Sequence, residues 1–279
     1  MLLRQQKLVY TIYFMKIRKV LITGGSRGMG LSLVNLFEKQ SAEVHTVSRT
    51  VPIKPLAGNV FPHECDLSSQ AASEKFINHF LDEHGVPDLL INNAGSGAFF
   101  DWANFPMEEI SKQINLLFSV PVLFCRKLAP LMAERQSGVI LNLTSLATLY
   151  PLPYMPLYNA GKTALSSFTQ SMILEYKAYP TFIDFRMGDV KTDFNKVSAK
   201  PIQEKWSDPM KRAWYQIEKQ LNHAPSPEKA ANQIFDAISK GDSGLYYGGG
   251  RFQSKIAPLL PRFISSKFLN KALRFIYRQ

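Results

Sequence analysis

The chain has 279 residues, of which 46% are hydrophobic, and its formal net charge at pH 7 is +11. An α/β chain of this length commonly forms one domain with one large core. Residues 1–19 contain five Lys or Arg, residues 251–279 contain seven, and neither segment contains an acid. The body between them is close to neutral, which excludes a basic groove for nucleic acid running through the fold.

The cysteines and histidines show no ligand spacing along the chain. Cys65 and Cys125 stand far apart, and the five histidines are scattered. The sequence therefore predicts neither a disulfide framework nor a metal site. This cysteine usage is typical of a reducing compartment, so a cytoplasmic protein is expected.

Residues 1–14 form an extension in front of the charged run 15–19. Its apolar part, residues 8–15, is too short to span a bilayer. This extension has three possible interpretations: a mis-assigned start, an extra edge strand or a segment that touches a membrane. The catalytic domain is predicted at 15–250 and a basic tail at 251–279.

Apolar runs alternate with helical periodicity along the body of the chain. Strands are predicted near residues 18–23, 43–48, 60–65, 88–92, 138–144, 181–186 and 244–247. Helices are predicted near residues 28–40, 70–84, 107–133, 156–178 and 227–239. This alternation predicts an α/β fold, a single-domain, Rossmann-type doubly wound parallel sheet with helices on both faces. Ligands bind such sheets beyond the carboxyl ends of the strands, and a lid at about 190–226 is expected to cover that crevice.

A glycine-rich turn follows the first predicted strand. Thr23 ends the strand, and Gly24, Gly28 and Gly30 precede a helical run. The backbone N–H groups and helix dipole at such a turn can face a pyrophosphate. The glycine spacing departs from G-x-G-x-x-G, so the turn alone fits a nucleotide site and a tight loop equally well.

Tyr158 and Lys162 lie one helical turn apart, thirteen residues after Ser145, which ends a predicted buried strand. Residues four apart share a helix face, so a phenol and an ammonium can be held side by side. A phenol titrates at about pH 10, and a nearby positive charge would make it a better acid or base at neutral pH. Tyr215 and Lys219 repeat the spacing, but no strand precedes them, so they are interpreted as an exposed helix pair.

These motifs follow one order, Thr23-Gly24-x-x-x-Gly28-x-Gly30, Asn92-Asn93-Ala94-Gly95, Asn115, Ser145 and Tyr158-x-x-x-Lys162. The order resembles that of the short-chain dehydrogenase/reductase family over roughly residues 15–250. The resemblance implies hydride transfer between nicotinamide C4 and a carbonyl carbon, with Tyr158 giving or taking the oxygen's proton. It also implies that Ser145 binds the substrate oxygen, Lys162 holds the nicotinamide ribose and Asn115 anchors a proton-relaying water.

The same resemblance implies a dinucleotide site. Its residues are Thr23, Gly24, Ser26, Arg27, Gly28, Met29, Gly30, Ser48, Arg49, Asp66, Leu67, Asn92, Ala94, Gly95, Tyr158, Lys162, Gly188, Val190 and Thr192. The segment 188–192 resembles the family's Pro-Gly-x-Val-x-Thr loop, with Met187 in place of the proline.

The end of the second predicted strand indicates the cofactor. It lacks the acid that binds the ribose 2′-OH of NAD. Arg49 stands there instead, and Arg27 lies in the glycine turn. Two guanidiniums suit a 2′-phosphate, so NADP(H) is favoured over NAD(H). The alternative to this interpretation is that Arg49 is a solvated loop residue that does not contact the cofactor.

Apolar and aromatic residues follow Ser145 and populate the predicted lid. They favour a lipophilic carbonyl or alcohol as substrate, and packing of the lid or of a subunit interface is the alternative. The resemblance implies a homodimer or homotetramer. A catalytically silent nucleotide-binding scaffold or redox-sensing regulator of the same fold is the alternative function.

The residue pattern of the tail predicts a helix from Pro261 to Arg278. Lys267, Lys271, Arg274 and Arg278 form one stripe, and apolar residues cover most of the rest. This basic amphipathic pattern is typical of a segment in a membrane interface, which suggests peripheral association with the inner membrane surface. Docking on the protein's own core or a sister subunit, and an acidic partner such as an acyl-carrier protein, are the alternatives.

Overall fold

The computed structural model describes residues 17–51 and 58–279, so the extension 1–14 lies outside the described residues. Seven strands form one parallel sheet in the order β3-β2-β1-β4-β5-β6-β7. The strands are β1 (Lys19–Thr23), β2 (Glu43–Ser48), β3 (Val60–Glu64), β4 (Leu89–Asn92), β5 (Val139–Ser145), β6 (Thr181–Met187) and β7 (Gly244–Gly248).

Helices cover both faces of this sheet. They are α1 (Gly28–Lys39), α2 (Gln70–His84), α3 (Met107–Ile114), α4 (Val120–Glu134), α5 (Pro156–Glu175), α6 (Phe194–Val197), α7 (Asp208–Leu221), α8 (Pro227–Ile238), α9 (Arg251–Lys255) and α10 (Ser266–Tyr277). On one face, α1 and α8 share a buried apolar cluster with the strands. On the other face, α2, α4 and α5 pack against the sheet. The predicted doubly wound α/β fold is confirmed.

The helix predicted near 107–133 is interrupted. A π-helical turn, Asn115–Ser119, separates α3 from α4, and the Val120 N–H bonds to the Asn115 carbonyl. Pro121 in the first turn of α4 has no N–H to give to the preceding turn, which favours such a break. The whole stretch Met107–Glu134 is long and apolar enough to cross a membrane by length and composition. Its apolar residues, such as Phe124 and Leu128, are buried against the sheet.

The tail helix begins later than the sequence predicts. A 3₁₀ turn occupies Leu260–Arg262, and α10 starts at Ser266 after Ser265, whose hydroxyl accepts the Phe268 N–H at 3.3 Å. This side-chain cap fixes the first turn of α10. The helix then packs on α7 and buries Tyr277 with Trp214.

Candidate active site

A cavity of about 1430 Å³ opens beyond the carboxyl ends of the central strands. It runs from the glycine-rich turn, past the ends of β2, β5 and β6, to the lid and the tail. Its size exceeds the roughly 300–1,000 Å³ of a typical small-molecule pocket, which leaves room for a cofactor together with a substrate.

Most of the residues that the sequence assigns to a site line this cavity. They are Gly24, Ser26, Arg27, Gly28, Met29, Gly30, Ser48, Arg49, Asp66, Leu67, Ala94, Gly95, Ser145, Tyr158, Lys162, Gly188, Val190 and Thr192. Thr23, Asn92 and Asn115 are not among the lining residues.

The glycine-rich turn brings its own backbone close to the start of α1. Gly24 and Gly28 have φ angles of +72° and +55°, which glycine adopts readily. A Cβ on Gly30 would lie 2.0 Å from the Gly24 carbonyl oxygen. The first turn of α1 contains no acid, so its N–H groups and positive dipole end remain available to an anion.

Thr23 and Asn92 brace this turn from behind. The Thr23 hydroxyl accepts the N–H groups of Asn93 and Ala94 at 3.0 and 2.9 Å. The Asn92 amide is buried and donates to Asn142 Oδ1 at 2.8 Å. Their side chains therefore tie β1, β4 and β5 together behind the turn.

The Asn115 side chain also turns away from the cavity. Its amide donates to the Ser68 carbonyl at 2.9 Å, which links the π-helical turn to the loop after β3. The expected role of Asn115 as the anchor of a proton-relaying water stays a prediction.

Tyr158 and Ser145 meet at the cavity wall. Both side chains line the cavity, and the Tyr158 ring packs edge-on against Phe194 at 5.6 Å between ring centroids. Burial raises the pKa of Tyr158, the neighbouring Ser145 side chain lowers it, and the charge of Asp189 raises it. The phenol is thus held in its protonated form at neutral pH.

Lys162 is buried one turn further along α5. Its Nζ donates to the Leu143 carbonyl at 2.6 Å, so its ammonium is directed at the backbone of β5. Burial lowers the pKa of Lys162 to about 8, and the charge of Asp184 opposes that shift. Lys162 is not among the groups that shift the pKa of Tyr158, and its expected effect on the phenol stays a prediction.

The far end of the cavity carries the two arginines. Arg27 and Arg49 are exposed and line it beside Ser48. Across from them, burial raises the pKa of Asp66, but hydrogen bonds from Ser68 and the charge of Arg49 bring it below its usual value.

Sequence reasoning missed one whole wall of the cavity, which comes from the tail. The lining residues there are Leu260, Ile264, Phe268, Leu269, Ala272, Leu273, Ile276 and Tyr277. The amphipathic pattern of the tail was visible in sequence, and docking on the protein's own core was one of its interpretations. No local pattern indicates which part of the fold the helix would cover.

Three scattered histidines also come together. His45, His63 and His84 place their ring nitrogens within 4.8 Å of one another, on the α2 face of β2 and β3. His45 is hydrogen-bonded through Nδ1 to His63 at 2.9 Å and through Nε2 to Glu43 at 2.7 Å. Burial lowers the pKa of His45, and burial together with the neighbouring histidines lowers that of His63 to about 4. His45 and His63 are therefore neutral at physiological pH and form a hydrogen-bonded chain with Glu43.

A parallel sheet with a glycine turn after β1 and a Ser, Tyr and Lys set beyond β5 defines a Rossmann-fold oxidoreductase. The model of the short chain dehydrogenase family matches residues 18–202. The chain belongs to this family.

The names of similar proteins agree with this class. A 3-ketodihydrosphingosine reductase of Bacteroides thetaiotaomicron is 27% identical over 272 residues, which cover 92% of this chain and 97% of that protein. A ketoacyl reductase of Nostoc sp. is 31% identical over 163 residues, 56% of this chain and 57% of that protein.

Solved structures share the fold. L-sorbose reductase from Gluconobacter frateurii, complexed with NADPH and L-sorbose, has a TM-score of 0.67 and 26% identity, covering 83% of this chain and 95% of its own. A 4-hydroxyisoleucine dehydrogenase complexed with NADH has a TM-score of 0.70 and 20% identity, covering 83% of this chain and 96% of its own. Proteins of this fold are thus found bound to either cofactor.

Proposed function

We propose that the protein is an NADP(H)-dependent oxidoreductase that reduces a carbonyl on a lipophilic substrate, or oxidises the corresponding alcohol. The observation that carries this is the Ser145–Tyr158 pair at the wall of a cavity whose other end is a glycine-rich turn. The turn fits a dinucleotide, because it leaves no room for a Cβ at Gly30 and has no acid to repel a pyrophosphate. The bound cofactor would supply the hydride.

Each residue of the site then has one task in reduction. Ser145 donates a hydrogen bond to the carbonyl oxygen, and Tyr158, protonated at neutral pH, gives that oxygen its proton as the carbon accepts hydride. Lys162, with a pKa of about 8, is a proton source close to neutral pH for the resulting phenolate. The backbone of 24–30 and of 188–192 would hold the cofactor's pyrophosphate and carboxamide.

The exposed guanidiniums of Arg27 and Arg49 support a preference for NADP(H). Within the described residues neither forms a salt bridge, so both remain available to a 2′-phosphate. Charge-assisted bonds to phosphate are stronger than neutral ones, and NADH offers no such acceptor.

The substrate proposal rests on the cavity wall beyond Tyr158. Leu152, Met155, Ile217 and the tail residues make that part apolar. The name of the Bacteroides relative supports a keto group on a long-chain lipid as substrate class.

The deciding experiment is NADPH oxidation with a panel of ketones of increasing chain length. We expect turnover that rises with chain length as the apolar compartment fills. A protein that binds NADPH but oxidises it with none of the ketones would support the alternative, a silent nucleotide-binding scaffold or redox-sensing regulator.

We further propose that the tail docks a cytoplasmic protein on an anionic membrane surface. All seven basic residues of 251–279 are exposed, and several large apolar side chains there are exposed as well. These are Phe252, Ile256, Leu259, Leu260, Phe263, Phe268, Phe275 and Ile276. Each basic side chain near such a surface contributes on the order of 1 kcal/mol. Phe268 and Ile276 of α10 also line the cavity, whereas Phe263 and Phe275 do not, so Phe263 and Phe275 are apolar side chains that remain available to a membrane.

Co-sedimentation with anionic vesicles at low salt tests the docking. Phe263 and Phe275 are more than 80% exposed and do not line the cavity, so Phe263→Ser with Phe275→Ser should release the protein and leave the fold intact. Leu174→Ser, at an equally exposed site on α5, is the control. Binding should weaken as salt rises. If the unmodified protein does not bind the vesicles at low salt, membrane docking is excluded. An acidic carrier protein would then be the partner to test.

A homodimer or homotetramer remains the proposed assembly. Light scattering after size-exclusion chromatography measures it directly, and a monomeric mass would contradict the proposal.

A further inference from the structure

Asp189 places a carboxylate inside the apolar part of the cavity. It follows β6 directly after Gly188 and is largely buried among the lining residues. Its Oδ2 accepts from Gln253 Nε2 at 2.6 Å, and its backbone N–H donates to Gln253 Oε1 at 3.1 Å. Gln253 belongs to α9, so the start of the tail fixes the orientation of this carboxylate.

No basic side chain balances this charge. Among residues 17–51 and 58–279, no salt bridge involves Asp189. Burial raises the pKa of Asp189, and the bond from Gln253 offsets this only in part. A buried carboxylate without a cation is costly, and it becomes favourable only when a cation arrives with good geometry.

The position of Asp189 relates this charge to the reacting group. Its field raises the pKa of Tyr158 and also that of Tyr277 in α10. Asp189, Tyr158 and Tyr277 all line the same cavity, so a substrate with its carbonyl at Tyr158 would share that compartment with the Asp189 carboxylate.

We propose that Asp189 is a specificity residue that pairs with an ammonium group carried by the substrate beside its reacting carbonyl. This inference rests on the proposed reductase function and narrows its substrate class. The substrate is a long-chain amino ketone, with the hydrocarbon chain under α7 and α10, the ammonium at Asp189 and the carbonyl oxygen at Ser145 and Tyr158. A purely structural role, in which Asp189 only anchors Gln253 and the tail, is the competing explanation.

A matched substrate pair separates these explanations. NADPH oxidation is measured with a long-chain α-amino ketone and with the same ketone lacking the amine. In the unmodified protein we expect kcat/KM to favour the amino ketone by roughly 10- to 100-fold, the value of a hydrogen bond to a charged group.

Asp189→Asn keeps an acceptor for Gln253 Nε2 but removes the charge. It should abolish the preference for the amino ketone while turnover of the plain ketone is retained. Asp208→Asn, an exposed acid at the start of α7, is the control and should leave the preference unchanged. If the two substrates are turned over equally well by the unmodified protein, or if Asp189→Asn lowers both activities by the same factor, the ammonium site is excluded.

A binding measurement keeps the inference independent of turnover. Binding of a long-chain 2-amino alcohol and of the plain alcohol to the NADPH-loaded protein is followed by the fluorescence of Trp206 and Trp214, which are buried in the lid cluster. The amino alcohol should bind about tenfold or more tightly, and only with Asp189 present. Equal affinities would overturn the inference even if neither ketone is reduced, whereas failure of the ketone panel alone would overturn only the proposed function.

Discussion

Tyr158 combines a partly buried ring with a hydroxyl that faces both Ser145 and the cavity. Removal of that hydroxyl removes the proton donor and leaves the packing against Phe194 in place. We expect Tyr158→Phe to lower kcat by about 10²- to 10⁴-fold, the usual contribution of a general acid, with little change in NADPH affinity. Steady-state kinetics and a cofactor titration measure the two effects. Tyr215→Phe, on an exposed side chain with the same Tyr and Lys spacing, should be silent, and loss of activity in that variant would mean that the pair was wrongly chosen.

Arg27 and Arg49 lie at the opposite end of the cavity, where the proposed phosphate would bind. Substitution of both by Ala should weaken NADPH binding by roughly 10- to 100-fold and leave NADH binding nearly unchanged. Dissociation constants for both cofactors measure this change. Equal constants in the unmodified protein would contradict the predicted preference.

His63 gives the molecule a pH-dependent stability. Its folded-state pKa of about 4 lies below the ordinary value of about 6.5, so the unfolded chain takes up the proton first as pH falls. Stability is therefore full above about pH 6.5 and declines between about 6.5 and 4. We expect a loss of about 1 kcal/mol between pH 7 and pH 5, after allowance for the partial exposure of the ring.

Urea unfolding at the two pH values measures this loss. His63→Gln retains a donor for His45 but cannot titrate, so it should shrink the difference, while His223→Gln at an exposed position should not. An unchanged pH dependence in His63→Gln would assign the effect to other groups.

At the scale of elements, the contact between the glycine turn and α1 tolerates no side chain. Gly30→Ala would place a methyl group 2.0 Å from the Gly24 carbonyl oxygen, so turn and helix must separate. We expect a loss of about 1–3 kcal/mol in stability and a larger loss in NADPH affinity. Thermal unfolding and cofactor titration check both. Gly58→Ala, where the added Cβ meets nothing within 4 Å, is the control.

The sequence predicts the strands to within one or two residues, because their apolar runs are local signals. The break in the long helix at Asn115 was missed, since a proline in a first turn is also compatible with an ordinary helix start. The histidine cluster was missed because β2, β3 and α2 each contribute one side chain, and only the sheet order brings them together.

At the scale of the whole molecule, the parallel sheet gathers the site residues from strands that are distant in sequence. The ends of β1, β4, β5 and β6 face one crevice, as the alternation of strands and helices predicts. The tail wall and the Asp189–Gln253 pair could not be predicted in this way. They depend on where an amphipathic helix docks, and its periodicity specifies a face without specifying a partner.

Because the cavity spans the sheet, the lid and the tail, its ligand should stabilise the entire fold. NADPH at about 100 times its dissociation constant should add about 2.7 kcal/mol, which raises Tm by roughly 5–10 °C in a chain of this size. Differential scanning fluorimetry measures the shift. NADH at the same concentration should give a smaller one, and a larger shift with NADH would contradict the cofactor assignment.

The helix that closes the cavity, α10, is synthesised after every element that it covers. The sheet can therefore assemble on the ribosome while the apolar wall near Trp214 still faces water. Chaperones bind apolar surfaces that are exposed on incomplete chains, and such surfaces also promote aggregation. We therefore expect α10 to close the cavity after the sheet has formed, and a chain arrested before residue 266 to carry a complete sheet with an open apolar pocket.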